Sequence, residues 1–109
     1  MINGKCYGIS KYLINLLAIV VTLQTTAYCH TGNPTASGVM QQVGHCAVDK
    51  INGQWVPFGT IVRIKGLGTY RVTDRFGAGH NNRVDLFMDS YKKCIEFGRQ
   101  DLEAEVELP

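Results

Sequence analysis

The chain has 109 residues, 45% of them hydrophobic and 18% charged, with 11 Lys+Arg against 9 Asp+Glu. That length allows one small domain, and a formal charge of +2 excludes the strongly basic footprint of a DNA- or RNA-binding domain. Lys5 and Lys11 supply the surplus; from Gln24 onward nine basic residues balance nine acidic ones, with no charged tail.

The first feature in chain order is Tyr12–Leu23, YLINLLAIVVTL, an apolar run behind Lys5 and Lys11. A charged start followed by such a run matches the opening of a secretory signal, and about 20 apolar residues would be needed to span a bilayer. Residues 1–23 are therefore expected to be a signal peptide or membrane anchor, and residues 24–109 an exported domain in the periplasm, cell envelope or extracellular space. Thr25 and Ala27 satisfy the small-residue rule for a cut before Tyr28; an earlier cut or an uncleaved anchor remains open. Membrane contact is expected only through this leader.

The body reads as short strands between glycine-rich turns. Thr25–Cys29 leans to strand and precedes a Gly32-Asn33-Pro34 turn. Cys46–Asp49 is a short apolar strand ending in a carboxylate. Thr60–Lys65, rich in β-branched residues, follows Pro57-Phe58-Gly59, and Gly66-Leu67-Gly68 turns into Thr69–Asp74. Residues 75–82, RFGAGHNN, form a loop before the strand Arg83–Phe87. Asp89 or Ser90 caps a predicted helix over Tyr91–Phe97, stopped by Gly98, with Tyr91, Cys94 and Ile95 on its inward face. In the last segment Leu102, Ala104, Val106 and Leu108 alternate with Glu103, Glu105 and Glu107, which describes a half-buried strand whose carboxylates discourage edge pairing. Six strands and one short helix predict an all-β fold, a small closed barrel. No internal repeat stands out.

Cys29 and Cys46 lie 17 positions apart, and a bridge between them would contribute about 3 kcal/mol. Cys94 reads as a small buried hydrophobe; the odd body count leaves the pairing open. The pairs Cys29-His30 and His45-Cys46 lack zinc-ligand spacing, and neighbours on extended chain diverge, so neither a metal site nor a thiol enzyme is expected. The third glycine of a dinucleotide fingerprint is missing after Gly66-Leu67-Gly68, and no cofactor is expected. What remains is a set of strand-borne aspartates: Asp49, Asp74 and Asp85. Val84 and Leu86 should face the core, which puts Arg83, Asp85 and Phe87 on the opposite face. From spacing alone Asp85 is either a structural carboxylate or a reacting one.

Thr26-Ala27-Tyr28, Thr35-Ala36-Ser37-Gly38, Ala47-Val48-Asp49, Val56-Pro57-Phe58-Gly59-Thr60, Asp74 and Arg83-Val84-Asp85-Leu86-Phe87 occur in this order, with 11 residues from Asp74 to Asp85. Together they resemble the three-aspartate domain, which is similar to the barrel of membrane-bound lytic transglycosylase A and to stationary-phase-survival proteins. The Asp74-Arg75 pair is similar instead to rare-lipoprotein-A-like barrels. The resemblance spans about residues 25–108. It implies a six-stranded double-psi β-barrel that cleaves peptidoglycan glycan strands, with Asp49, Asp74 and Asp85 as the catalytic aspartates and Asp85 the acid/base. It also brings Thr35 and Ser37 into the substrate-binding set, beside Tyr28 as a sugar-stacking ring.

His80, Asn81 and Asn82 are candidate donors to sugar hydroxyls, or simply turn residues. Arg83 is expected to face a substrate carboxylate or Asp74. Trp55 is either a stacking or a packing residue. The expected partner is the peptidoglycan glycan strand, bound by a monomer. The alternative is a wall-binding or interaction barrel without activity.

Overall fold

The computed structural model describes residues 18–109; residues 1–17 of the expected leader lie outside that range. The strands are β1 (Ala18–Tyr28), β2 (His45–Ala47), β3 (Lys50–Ile51), β4 (Gln54–Trp55), β5 (Ile61–Ile64), β6 (Gly68–Asp74), β7 (Arg83–Phe87) and β8 (Gln100–Glu107), with helix α1 (Tyr91–Phe97) between β7 and β8. Six strands close into a barrel in the order β1-β7-β2-β6-β5-β8. It is the double-psi barrel expected. Pairs β1–β7 and β2–β6 are parallel; the other pairs around the barrel are antiparallel. Exchanging the triplet β1, β2, β5 with β6, β7, β8 leaves this pairing unchanged, so the barrel has an internal two-fold topology that the sequence does not display as a repeat.

The first strand starts earlier than its sequence suggests. Ala18–Leu23, the second half of the apolar run, pairs antiparallel with Leu102–Glu107 of β8. Leu23 is fully buried and Val21 packs on the core, while Val20 is 66% exposed. Period-two alternation is thus present in the run, but so short an apolar stretch reads equally as helix or strand until a partner strand is known.

Leu23, Cys46, Val48, Val62, Val72, Val84, Leu86 and Val106 fill the barrel. Ala104 and Val106 alternate inward along β8 with exposed Glu103 and Glu105. β8 is not an edge, however: it pairs on both sides, so its carboxylates guard no open strand. Instead the Arg63 guanidinium on β5 meets Glu107 at 2.9 Å and Glu105 at 3.4 Å. Strands β3 and β4 form a separate hairpin turned by Asn52 (φ 50°) and Gly53 (φ 81°). Positive φ at both positions is the type I′ geometry that Asn-Gly favours. That dipeptide is itself a hairpin signal in the sequence.

Helix α1 also differs from expectation. Ser90 is its cap, its hydroxyl accepting from the Lys93 amide at 3.2 Å. Tyr91 is 71% and Ile95 62% exposed; the half-buried positions are Cys94 and Phe97. An i, i+3 pair rather than an i, i+4 face is the half-buried side of the helix.

Candidate active site on the outer face of the barrel

Four neighbouring strands bring one row of residues together. Thr26 on β1 is paired with Asp85 on β7, Asp85 with Ala47 on β2, and Ala47 with Asp74 on β6. Residues opposed across a sheet share a face. Val84 and Leu86 point into the core as expected, so Asp85 points outward. Asp74 joins it through an irregularity: Cys46 opposes Val72, yet Ala47 opposes Asp74, leaving Thr73 as the extra residue of a bulge. Simple alternation from core-facing Val72 would turn Asp74 inward; the bulge reverses it. Asp74 and Asp85 then flank the small Ala47, about 10 Å apart at Cα, two strand spacings.

The two carboxyl groups have different surroundings. Asp85 is half-buried, and its Oδ1 accepts from the Thr26 hydroxyl at 2.8 Å. Burial pushes its pKa up and nearby Asp74 adds to this, against the Thr26 hydrogen bond and the charge of Arg83. Asp74 Oδ1 accepts from the amides of Ala36 (2.8 Å) and Arg75 (2.9 Å), and Oδ2 from the Tyr28 hydroxyl (3.3 Å). Burial and the charge of Asp74 hold the Tyr28 phenol far above its ordinary range, so it stays a donor. Its ring meets that of Phe87 in a T-shaped contact at 5.7 Å.

Asp49 stands apart from this pair. It is fully buried, and its carboxylate accepts from the amides of Phe76 (2.9 Å), Gly77 (3.4 Å), Gly79 (2.7 Å) and His80 (3.0 Å). Burial alone would raise its pKa, but the four donors outweigh it and hold the group below the ordinary carboxylate range. A carboxylate so enclosed cannot reach a substrate; it folds the 75–82 loop. The catalytic role expected for Asp49 from the resemblance is therefore replaced by a structural one.

The same loop accounts for other candidates. Asn82 Oδ1 accepts from the Asn52 amide at 2.7 Å and Asn81 Oδ1 from the Gly53 amide at 2.8 Å. Both side chains hold the β3–β4 turn, and the Asn82 amide also donates to Asn52 Oδ1 at 3.4 Å, whereas Asn81 is exposed. The Arg83 guanidinium lies 3.2 Å from His80 Nδ1 and 5.2 Å from the Phe76 ring centre. Because an arginine can only donate, His80 Nδ1 is the acceptor. Arg83 makes no carboxylate ion pair among the described residues. Arg75 is sandwiched between Phe58 (4.1 Å) and Trp55 (5.8 Å), and donates to the Val48 carbonyl at 2.8 Å. Trp55 is 57% exposed, with Lys50 also 5.2 Å from its ring.

Thr35 is buried; its hydroxyl donates to the Val39 carbonyl at 2.8 Å and so accepts from Ser37 at 3.0 Å. Ser37 lines a groove of about 460 Å³ with Phe58, Gly59, Arg71 and Thr73. Ser37, not Thr35, is open to a ligand. The structure therefore assembles Asp85, Asp74 and Tyr28, sets Arg83 and His80 nearby, and adds Thr26 and Ala47, to which the sequence reading gave no role. Only the register across four strands identifies those two. Cys46 lies in the core, and His30 packs on Phe87 at 5.0 Å, so the Cys-His pairs do not converge. No group of three or more His, Cys, Asp or Glu side chains among the described residues is placed to hold a metal ion.

Neither a protein-family model nor a curated protein matches this chain in sequence.

Proposed function

We propose that the protein cleaves peptidoglycan glycan strands by the lytic transglycosylase reaction, with Asp85 acting first as acid and then as base. The observation that carries this reading is the condition of Asp85: an outward carboxyl, half-buried, pushed toward its neutral form by burial and bonded only to a hydroxyl. The resemblance to three-aspartate barrels supports the substrate class.

Neutral Asp85 donates its proton to the glycosidic oxygen as the bond from the muramyl anomeric carbon breaks. The muramyl 6-hydroxyl then attacks that carbon, giving the 1,6-anhydro sugar, and its proton returns to Asp85. One carboxyl suffices, whereas hydrolysis by ordinary glycosidases requires a pair. Asp74, already held by two amides and Tyr28, keeps Asp85 protonated and lies where positive charge grows on the sugar. Arg83, which makes no carboxylate ion pair among the described residues, suits the acid groups of the wall peptides. The Ser37 groove, within the size range of small-molecule sites, is the adjoining sugar subsite. The reading requires export, directed by residues ahead of β1, and a monomer suffices for it.

The test is digestion of purified peptidoglycan followed by mass spectrometry of the products. Anhydro-muropeptides are expected, and D85N should lower their rate at least ~100-fold. Activity should fall as pH rises through the raised pKa of Asp85. The same sign applies to stability: a folded pKa above the free value of about 3.9 favours the protonated form, so its contribution is complete at low pH and lost as pH rises through the folded value. D85N, permanently neutral, should therefore melt no lower than the native protein at pH 7. Reducing ends in place of anhydro ends would mean hydrolysis. Wall binding without cleavage would favour a binding barrel.

A further inference from the structure

We propose that Cys29 and Cys94, not Cys29 and Cys46, form a disulfide that ties α1 to the end of β1. Cys29 follows β1 directly. The Met88 amide donates to the Tyr28 carbonyl at 2.8 Å, which draws the chain leaving β7 alongside it. Two residues later Ser90 starts α1, and Cys94 is one of the two half-buried side chains of that helix. The helix packs against β1, and burial together with the neighbouring Cys29 thiol pushes the Cys94 thiol up. Cys46, by contrast, is fully enclosed in the core among Val48, Val72 and Leu86, where no other thiol reaches it.

Among the described residues Cys29, Cys46 and Cys94 are free thiols, so the bridge needs an oxidant: a low-molecular-weight or protein disulfide. One thiolate of the pair attacks the oxidant's sulfur, forming a mixed disulfide and releasing one thiolate. The second cysteine then displaces the other half. The two thiol protons end, by way of solvent, on the two released thiolates, so the oxidant leaves as a pair of thiols carrying the two electrons.

The fold needs such a tie. Seven residues are too few for a helix that persists alone, and α1 has no fully buried side chain. Its anchorage is the contact of Cys94 and Phe97. The tie also braces the chain end where His30 and Tyr28 pack on Phe87, at 5.0 and 5.7 Å, on the face that carries Asp85. It does not depend on the proposed activity.

The experiment uses the full chain equilibrated with oxidised glutathione, then unfolded and alkylated. Cleavage by cyanogen bromide after Met40, combined with trypsin, puts Cys6, Cys29, Cys46 and Cys94 on four different peptides. The expected result is residues 94–99 joined to residues 12–40, lighter by two hydrogens than the separate pair, with Cys46 alkylated. Melting should fall by at least ~10 °C on reduction, as loss of a bridge closing a long loop implies. Cys94 joined to the Cys46 or Cys6 peptide, or alkylated after oxidation, would overturn the proposal.

Discussion

Asp49, between β2 and β3, and Asp85, on β7, are the same residue type, and their opposite chemistry is a matter of partners. Four amides surround Asp49, which favours its charged form; one hydroxyl and partial burial leave Asp85 inclined to neutrality. Asp49→Ala would strand four inward amides, at a cost of about 3–5 kcal/mol, measurable in urea denaturation. Its stabilisation follows the reverse sign from Asp85. The folded pKa is depressed, so the contribution is full above the free value of about 3.9 and lost as pH falls through the folded one. The D49A deficit should therefore shrink in acid. Nothing in the local sequence separates these two aspartates, because the donors to Asp49 come from 27 to 31 residues away.

At the level of elements, apolar spacing and geometry disagree in α1 and agree in β8. The i, i+3, i+4 pattern named Tyr91, Cys94 and Ile95, yet Tyr91 and Ile95 are exposed while Phe97 packs on the core. Tyr91→Ala and Ile95→Ala should each change stability by no more than about 0.5 kcal/mol, and Phe97→Ala should cost about 2 kcal/mol, as thermal or urea unfolding would measure. A helix this short offers too few turns for periodicity to select a face. The strand β8 offers eight residues with strict alternation, and its inward set was legible. The bulge at Thr73 was not: it arises from the pairing of β2 with β6, and without it Asp74 would turn away from Asp85.

For the whole molecule, closure depends on β1, which joins β7 on one side and β8 on the other. A chain beginning at Gln24 would lose six of the eight β1–β8 pairs and the buried Leu23. A chain beginning at Ala18 is expected to unfold cooperatively in urea, with an m value proportional to its buried surface, and one beginning at Gln24 to lose that transition. The all-β class, the five barrel strands after β1 and the inward faces of β7 and β8 were legible in the sequence by itself, because β-branched alternation and glycine placement act over a few residues. Tertiary structure alone decided the start of β1, the two-fold pairing, the row Thr26-Asp85-Ala47-Asp74, the capture of Asp49 by its loop and the meeting of Cys29 with Cys94. Each of these depends on which strands become neighbours, and parallel pairing across a closed barrel joins segments whose local sequence carries no mark of one another.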